Sequence, residues 1–478
     1  MLKMHVDESQ PASKPMNDWD WDEDEANPYN WPTRLKVQQV VMIALAALTT
    51  SFGTSSITPA HTYFMEEFQV SSTVAILPLS LYTFGLGLGT TIGGPLSETI
   101  GRYPVYLVTT LLGSIFTLGV GFSQNFASIC VLRFFAGFFY SPSLAIAGGT
   151  INETFKPVTR AVPSVIFVMI PFLGPGIGPV ISSFVVVRKS WRWTQWTILF
   201  FAILTLIAIL LTRETFHPIL KRKRAKELGY TIPGPPAPPL STQLREFVTI
   251  SLQLPLQVLF TEPIVTFICL YIACEFATLY SFFAAFPLVF EGIYRFSLEQ
   301  SGLVFLGIVV GSVLGAITVI ICDVLLYRPR AAKYVDQPIP PELRLFPSLM
   351  GSIGLPVSLF WFGWTARAEI RWASPVVSTV VFAWGNMCVF ISTTQYLVDT
   401  YDSLTVASVM SANSLVRYLL AGAFPLFTVQ MYTNLGVDWA TSLLGFIAIA
   451  LLPVPWVFFL MGPKLRGMSH FATAAFHI

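Results

Sequence analysis

Charge is scarce in this chain. Only 11% of its 478 residues are Asp, Glu, Lys or Arg, against roughly 25% in soluble domains, while 54% are hydrophobic. A soluble surface cannot be covered with so little polarity, so the composition describes a polytopic membrane protein. The net charge of +2 is too small and too scattered to attract nucleic acid. His5, His61, His217, His470 and His477 stand apart, with no HxxxH or HExxH pattern. Cys130, Cys269, Cys274, Cys322 and Cys388 all fall in apolar stretches and form no CxxC pair. These gaps argue against a metal site and a redox pair, and no GxxxxGK[ST] loop supports ATP drive. No clustered nucleophile and base suggests an enzyme. No metal and no cofactor is expected.

Long apolar runs take the place of these features. A helix crossing hydrocarbon needs about 20 mainly apolar residues. Such runs lie near 37–58, 73–93, 104–123, 126–148, 161–186, 193–212, 263–287, 301–322, 345–364, 373–396, 405–431 and 439–461. The ninth carries Pro347 and Pro356. Lys and Arg cluster on one side of these spans, with only Arg188, Lys189, Arg192, Arg295, Arg367 and Arg371 on the other. The positive-inside rule therefore puts both termini in the cytosol.

The reading is an all-α polytopic membrane protein with twelve transmembrane helices. It divides into a disordered acidic tail over 1–35, without signal-peptide character, and a six-helix bundle over 36–212. A linker over 213–258 follows, with the basic run KRKRAK and the Pro-rich PGPPAPP. A second six-helix bundle spans 259–462, and a cytosolic tail 463–478. Within the linker, 241–257 suits a short interfacial helix. The NET sequence at 152–154 matches a glycosylation site but falls on the cytosolic side, so no sugar is expected there.

Between spans two and three the chain reads GGPLSETIGRYP, residues 93–104, expected as a cytosolic turn. The plain reading is a surface pair of Glu98 with Arg102 at i, i+4, worth roughly a few tenths of a kcal/mol. GPLSETIGR, residues 94–102, also fits G-x-L-x-[D/E]-x-x-G-R, which resembles the loop signature of the major facilitator superfamily. That resemblance implies two pseudo-symmetric six-helix bundles. It also implies a gate formed by Gly94, Glu98, Gly101 and Arg102, whose acid caps a helix end of the opposite half when the cytosolic side is closed. Glu98 stands where the family usually has Asp, and Tyr103 where a basic residue is frequent.

Further stretches carry the resemblance along the chain. Arg133 in LRFFAG matches the buried arginine of the family's fourth helix, tied in relatives to proton coupling; the alternative is snorkelling to the outer interface. PFLGPGIGP, residues 171–179, places Gly174, Pro175 and Gly178 where the antiporter motif of the fifth helix lies, with Pro179 in place of the usual second glycine. NPYNWP, WRW, RETFHP, FTEP, FSLEQSGL, YLVDTY, AGAFPLF and LGVDWATSLLGF look like the fungal drug:proton antiporter branch. The resemblance implies export of a small-molecule substrate against protons; the alternative is proton-coupled or facilitated transport of an organic acid or polyamine, and more remotely a membrane-bound enzyme or receptor. A monomer in the plasma membrane is expected.

Candidate transport residues come from the spans that line the central cavity in this fold. Tyr271, Glu275, Thr278 and Phe282 share one face of span seven at i, i+4, i+7 and i+11. A mid-span carboxylate such as Glu275 is desolvated, which suits a proton site or selection of a cation. Arg417 in span eleven is expected to pair with Glu275, face an anionic substrate or hold the two halves together. Arg133, Glu275 and Arg417 are the proton-coupling candidates, and Tyr140, Trp384 and Asn386 further cavity residues. Asp399, with Asp402, resembles a conformational latch. Glu275 would suit polyamines or lipophilic cations, whereas the two arginines would suit an acidic metabolite.

Overall fold

The structure, a computed structural model, describes residues 19–156, 159, 161–230, 249–334 and 339–469. These residues form helices and short connections, with no strand among them. The spans are α1 (Thr33–Phe68), α2 (Ser72–Ile100), α3 (Arg102–Phe122), α4 (Phe126–Thr154), α5 (Ala161–Arg188) and α6 (Arg192–Leu210). The second set begins with α7 (Pro263–Phe286), α8 (Leu298–Ala331), α9 (Phe346–Thr365) and α10 (Ala373–Thr400). The remaining apolar run, Thr405–Arg466, is 62 residues long. At 1.5 Å per residue this is about 93 Å, roughly three times the hydrocarbon thickness. Gly436 sits inside it with non-helical φ 78° and ψ 163° and divides it into two spans. α11 covers 403–435 and α12 covers 437–466, so eleven apolar stretches yield twelve spans.

The helices sort into two bundles with repeated partners. α1 packs on α5 and α6, α2 on α4, and α3 on α4 and α6. Six spans later, α7 packs on α11, α8 on α10, and α9 on α10 and α12. Residues 19 and 469, the ends of the described chain, lie on one face, here the terminal face; the opposite one is the far face. The ninth span is an unbroken helix although Pro356 lies within it, buried against neighbouring helices.

Several expectations are corrected by these elements. GGPLSETI is no loop: α2 continues through it to Ile100, and the turn is Gly101 alone, at φ +100°. The acidic segment expected to be disordered over 1–35 is ordered from residue 19 on, while 1–18 lie outside the described residues. The basic run is a helix, His217–Glu227, and of the interfacial helix expected over 241–257 the structure describes the part from 249, which continues as helix to Thr261.

These two segments meet. Trp21 Nε1 donates to His217 Nδ1 at 3.4 Å, and Trp19 stacks on Tyr230 with centroids 5.9 Å apart. Burial works against the Asp24 carboxylate, but donors from the Ala26 amide, the Trp19 indole and the Arg224 guanidinium outweigh it and hold its pKa below the usual carboxylate range. Tyr29 donates to the Asn152 carbonyl at 3.0 Å. NPYNWP and RETFHP thus strap the terminal ends of α4 and α6.

The bundles touch toward the far face. Gln430 of α11 donates to Thr73 of α2, Gly422 lies against Phe84, and Gly87 against Tyr418. From α5, Gly176 meets Val309 of α8, Ser183 meets Gly302, and Arg188 pairs with Glu299 at 3.2 Å. Toward the terminal face, a Cβ added at Gly94 or Gly148 would meet nothing within 4 Å, and Glu98 is exposed. α2 also meets residues 249–253, the segment that packs on α11 and leads into α7.

The two glycines of the loop signature should therefore separate in a stability measurement. Gly101→Ala forces a side chain into a glycine-only conformation and onto Glu214, costing on the order of 1–3 kcal/mol. Thermal unfolding of purified protein should show a lowered midpoint for Gly101→Ala and an unchanged one for Gly94→Ala.

Candidate transport site and gates

At the terminal face the arginine of the loop signature does not bond Glu98. Arg102 is buried, its guanidinium pairs with Glu153 of α4 at 2.8 Å, and it also bonds Ser97 and lies 5.0 Å from the Phe216 ring. Thr215 donates to the other oxygen of Glu153 at 3.0 Å. Glu214 caps α3: its carboxylate accepts from the amides of Arg102 and Tyr103 at 2.9 and 3.0 Å. These are the first orphan amides of that helix, at its positive end. Sequence reasoning missed both acids. Glu153 lay in the NET sequence and Glu214 in RETFHP, and only their meeting in space gives them a role.

The second bundle repeats the design. Arg344, just before α9, pairs with Asp399 of α10 at 2.8 Å and with Asp323 of α8 at 3.5 Å, and Asp323 also holds Arg328. Asp399 therefore occupies the place in this bundle that Glu153 occupies in the first. Asp402 is the N-cap of α11, accepting from the Thr405 amide at 2.9 Å, rather than half of a latch. Glu262 of FTEP begins α7 and accepts from Tyr401 at 3.1 Å and from Ser469.

In the membrane interior Arg133 is fully buried, which rules out snorkelling. Its Nη2 donates to the carbonyls of Gly53 at 2.7 Å and Thr54 at 3.4 Å, its Nε to Pro78 at 3.3 Å, and its guanidinium lies 4.2 Å from the Tyr82 ring. Gly53 and Thr54 end the first part of α1, which breaks before the turn Thr58–Ala60. Arg133 thus caps a helix end inside the bundle. On α5, Gly174 and Gly178 face Ser51 and Ser55 of α1, and Ser55 donates to the Gly174 carbonyl at 3.1 Å. Pro175 is buried in the same contact region.

Glu275 is buried on α7, and neither carboxyl oxygen has a hydrogen-bond partner among the described residues. Tyr271 one turn earlier has an equally unpartnered hydroxyl, and Thr278 turns its hydroxyl back to the Cys274 carbonyl at 2.9 Å. Asn386 of α10 donates to the Glu275 backbone carbonyl at 3.5 Å while its own Oδ1 is unpartnered. No ion pair joins Glu275 to Arg417, contrary to one expectation. Arg417 instead lies 4.8 Å from the Phe276 ring, 5.0 Å from Phe390 and 4.6 Å from Tyr418.

Three residues expected to line the cavity pack elsewhere. Tyr140 sits between α3 and α4, donating to Ser114 at 3.2 Å and lying against Gly113. Trp384 fills the space that Gly354 leaves and donates to Thr318 at 3.0 Å. Phe282 joins Phe286, Phe362 and Phe382 in the second bundle's own core. Bulk and aromaticity, the signals that selected them, mark packing as readily as a ligand surface.

Two repeated six-span bundles with matching ion-pair clusters on one face have the architecture of a multi-pass membrane transporter. The chain belongs to the major facilitator superfamily, whose family model matches residues 43–425. It is 37% identical to polyamine transporter 4 of Saccharomyces cerevisiae, covering 96% of this chain and 73% of that protein. It is 36% identical to efflux pump FUB11 of Gibberella moniliformis, covering 95% and 77%. The citrinin biosynthesis cluster transporter mrr1 of Monascus ruber is also 36% identical, covering 95% and 92%. In fold it resembles the proton:xylose symporter XylE, with a TM-score of 0.64 at 14% identity over 90% of this chain and 97% of that one. A partially occluded inward-open form of XylE from E. coli gives 0.63 at 14% identity over 89% and 99%. The protein is a transporter of small molecules, not an enzyme.

The terminal-face network predicts an asymmetry between two acids. Glu153→Ala leaves the buried Arg102 uncompensated, a loss of about 3–5 kcal/mol, and should sharply reduce folded protein recovered in detergent, read by monodisperse yield. Glu98→Ala should leave that yield unchanged.

Proposed function

We propose that this chain exports a small organic molecule in exchange for protons. It would act as a monomer in the plasma membrane, with both termini in the cytosol. The terminal face carries Arg34, Lys36, Arg102, Arg213, Arg328 and Arg344, which supports its assignment to the cytosol. Gly94, Glu98, Gly101 and Arg102 would form the gate on that side, where Glu98 is exposed and Arg102 is anchored to Glu153.

The observation that carries the coupling is Glu275. A carboxyl placed in a membrane helix with no cation and no hydrogen-bond donor is costly as an anion and suits carriage of a proton. Occlusion would hold the proton and hydration would release it, so the two states of the cycle differ in its occupancy. Gly174, Pro175 and Gly178 would let α5 rock against α1 without breaking their contact, and the resemblance of this stretch to the antiporter motif favours exchange over symport. Two of the relatives named above are an efflux pump and a biosynthetic-cluster transporter, which agrees with export.

The test is transport in liposomes with an acidic lumen and candidate compounds outside. Antiport predicts substrate-dependent alkalinisation of the lumen; substrate movement without proton flux would refute it. Glu275→Gln should flatten the pH dependence of transport, and an unchanged profile would remove Glu275 from the proton path.

A further inference from the structure

Three formally charged side chains lie in the membrane interior among the described residues: Arg133, Glu275 and Arg417. Arg133 spends most of its donors on carbonyls of α1 and α2. Arg417 spends none. Its guanidinium is in contact with three rings, it is 9% exposed, its Nε has no partner, and no hydrogen bond or carboxylate reaches it among the described residues.

Aromatic rings engage the face of a guanidinium and leave its in-plane N–H edge free, and that edge is matched to a carboxylate or sulfonate. Phe172 of α5 closes the cluster, with its ring 5.3 Å from Phe276 and 5.0 Å from Phe390. Part of the cover of these rings therefore belongs to the opposite bundle, and movement of α5 away from α7 and α10 would uncover Phe276 and Phe390 beside the arginine. The interior carries two cations against a single acid, and that acid does not pair with either of them.

We infer that Arg417, Phe276 and Phe390 form the substrate-selecting surface and that it takes an organic anion bearing a planar ring. The rings stack on the ring of the substrate, and the guanidinium edge pairs with its acid group. This rests on the reading of the chain as a small-molecule exporter, and it assigns Arg417 to the substrate and leaves the proton to Glu275. Polycations are disfavoured because the cluster offers them a like charge.

The probes are 2-naphthalenesulfonate, a permanent anion, 1-methylquinolinium, a permanent cation of similar ring size, and spermidine. Equilibrium binding to the purified full chain in lipid nanodiscs should favour the sulfonate over the quinolinium by tenfold or more. Arg417→Gln should erase that preference. Arg417→Lys should keep its sign with weaker binding, because an ammonium lacks the planar edge. Equal or tighter binding of quinolinium or spermidine by the wild-type chain, or an Arg417→Gln chain that binds the sulfonate like wild type, would overturn the assignment. If the Gln variant fails to fold, the wild-type comparison alone decides. Proton flux in liposomes separates the two readings. Sulfonate binding without flux removes antiport and leaves the anion surface standing, whereas flux driven only by spermidine removes the anion surface and leaves antiport.

Discussion

A helix that breaks inside a membrane leaves carbonyls that neither water nor lipid can satisfy. α1 breaks in this way after Ser55, where Pro59 has no N–H to return to the preceding turn. Arg133 answers the deficit from α4, bonding Gly53, Thr54 and the Pro78 carbonyl of α2. Its positive charge also suits the negative end of the helix. One side chain thereby fixes α1, α2 and α4 relative to one another. With α1 fixed, Ser51 and Ser55 offer the surface on which Gly174 and Gly178 seat α5. α5 in turn carries Phe172 onto Phe276 and Phe390, above Arg417. A line of direct contacts therefore runs from one buried arginine to the other across the interface of the bundles.

The terminal face follows a different physics. There, water is near and charges can be partly buried in pairs, so each bundle ties its own helices with an arginine at the start of its third span and an acid at the end of its fourth. Arg102 with Glu153 and Arg344 with Asp399 are the two versions. These pairs lie within bundles, not between them. They tie the helices of each half together without linking the two halves.

Much of this architecture could be read from the chain. Hydropathy gave the spans because lipid enforces continuous apolar helices, and even the proline-bearing ninth span obeyed. The exit of α2 was not readable, because Gly94, Pro95 and Ser97 are turn formers in water, yet here they continue a helix that only Gly101 ends. The order of the acidic segment before α1 was not readable because its composition is that of a disordered tail; Trp21 meets His217 and Trp19 stacks on Tyr230, partners about 200 residues away in sequence. Arg133, Glu275 and Arg417 stood out as charges in apolar runs, but the sequence could not say which would find partners. Glu153 and Glu214 carried no signal of their own, since a glutamate near a span end is usually solvated. Tyr140, Trp384 and Phe282 were drawn in by size, and size alone does not tell which face of a helix meets the central cavity.

The proposed export requires that the contact between α2 and α11 at the far face break and re-form in each cycle. The direct measurement uses a chain with its five cysteines replaced and the substitutions Thr73→Cys and Gln430→Cys, whose parent side chains are bonded in this structure. Oxidation should form the cross-link, stop transport in liposomes, and allow full recovery on reduction. Transport at an undiminished rate by the quantitatively cross-linked protein would contradict the account.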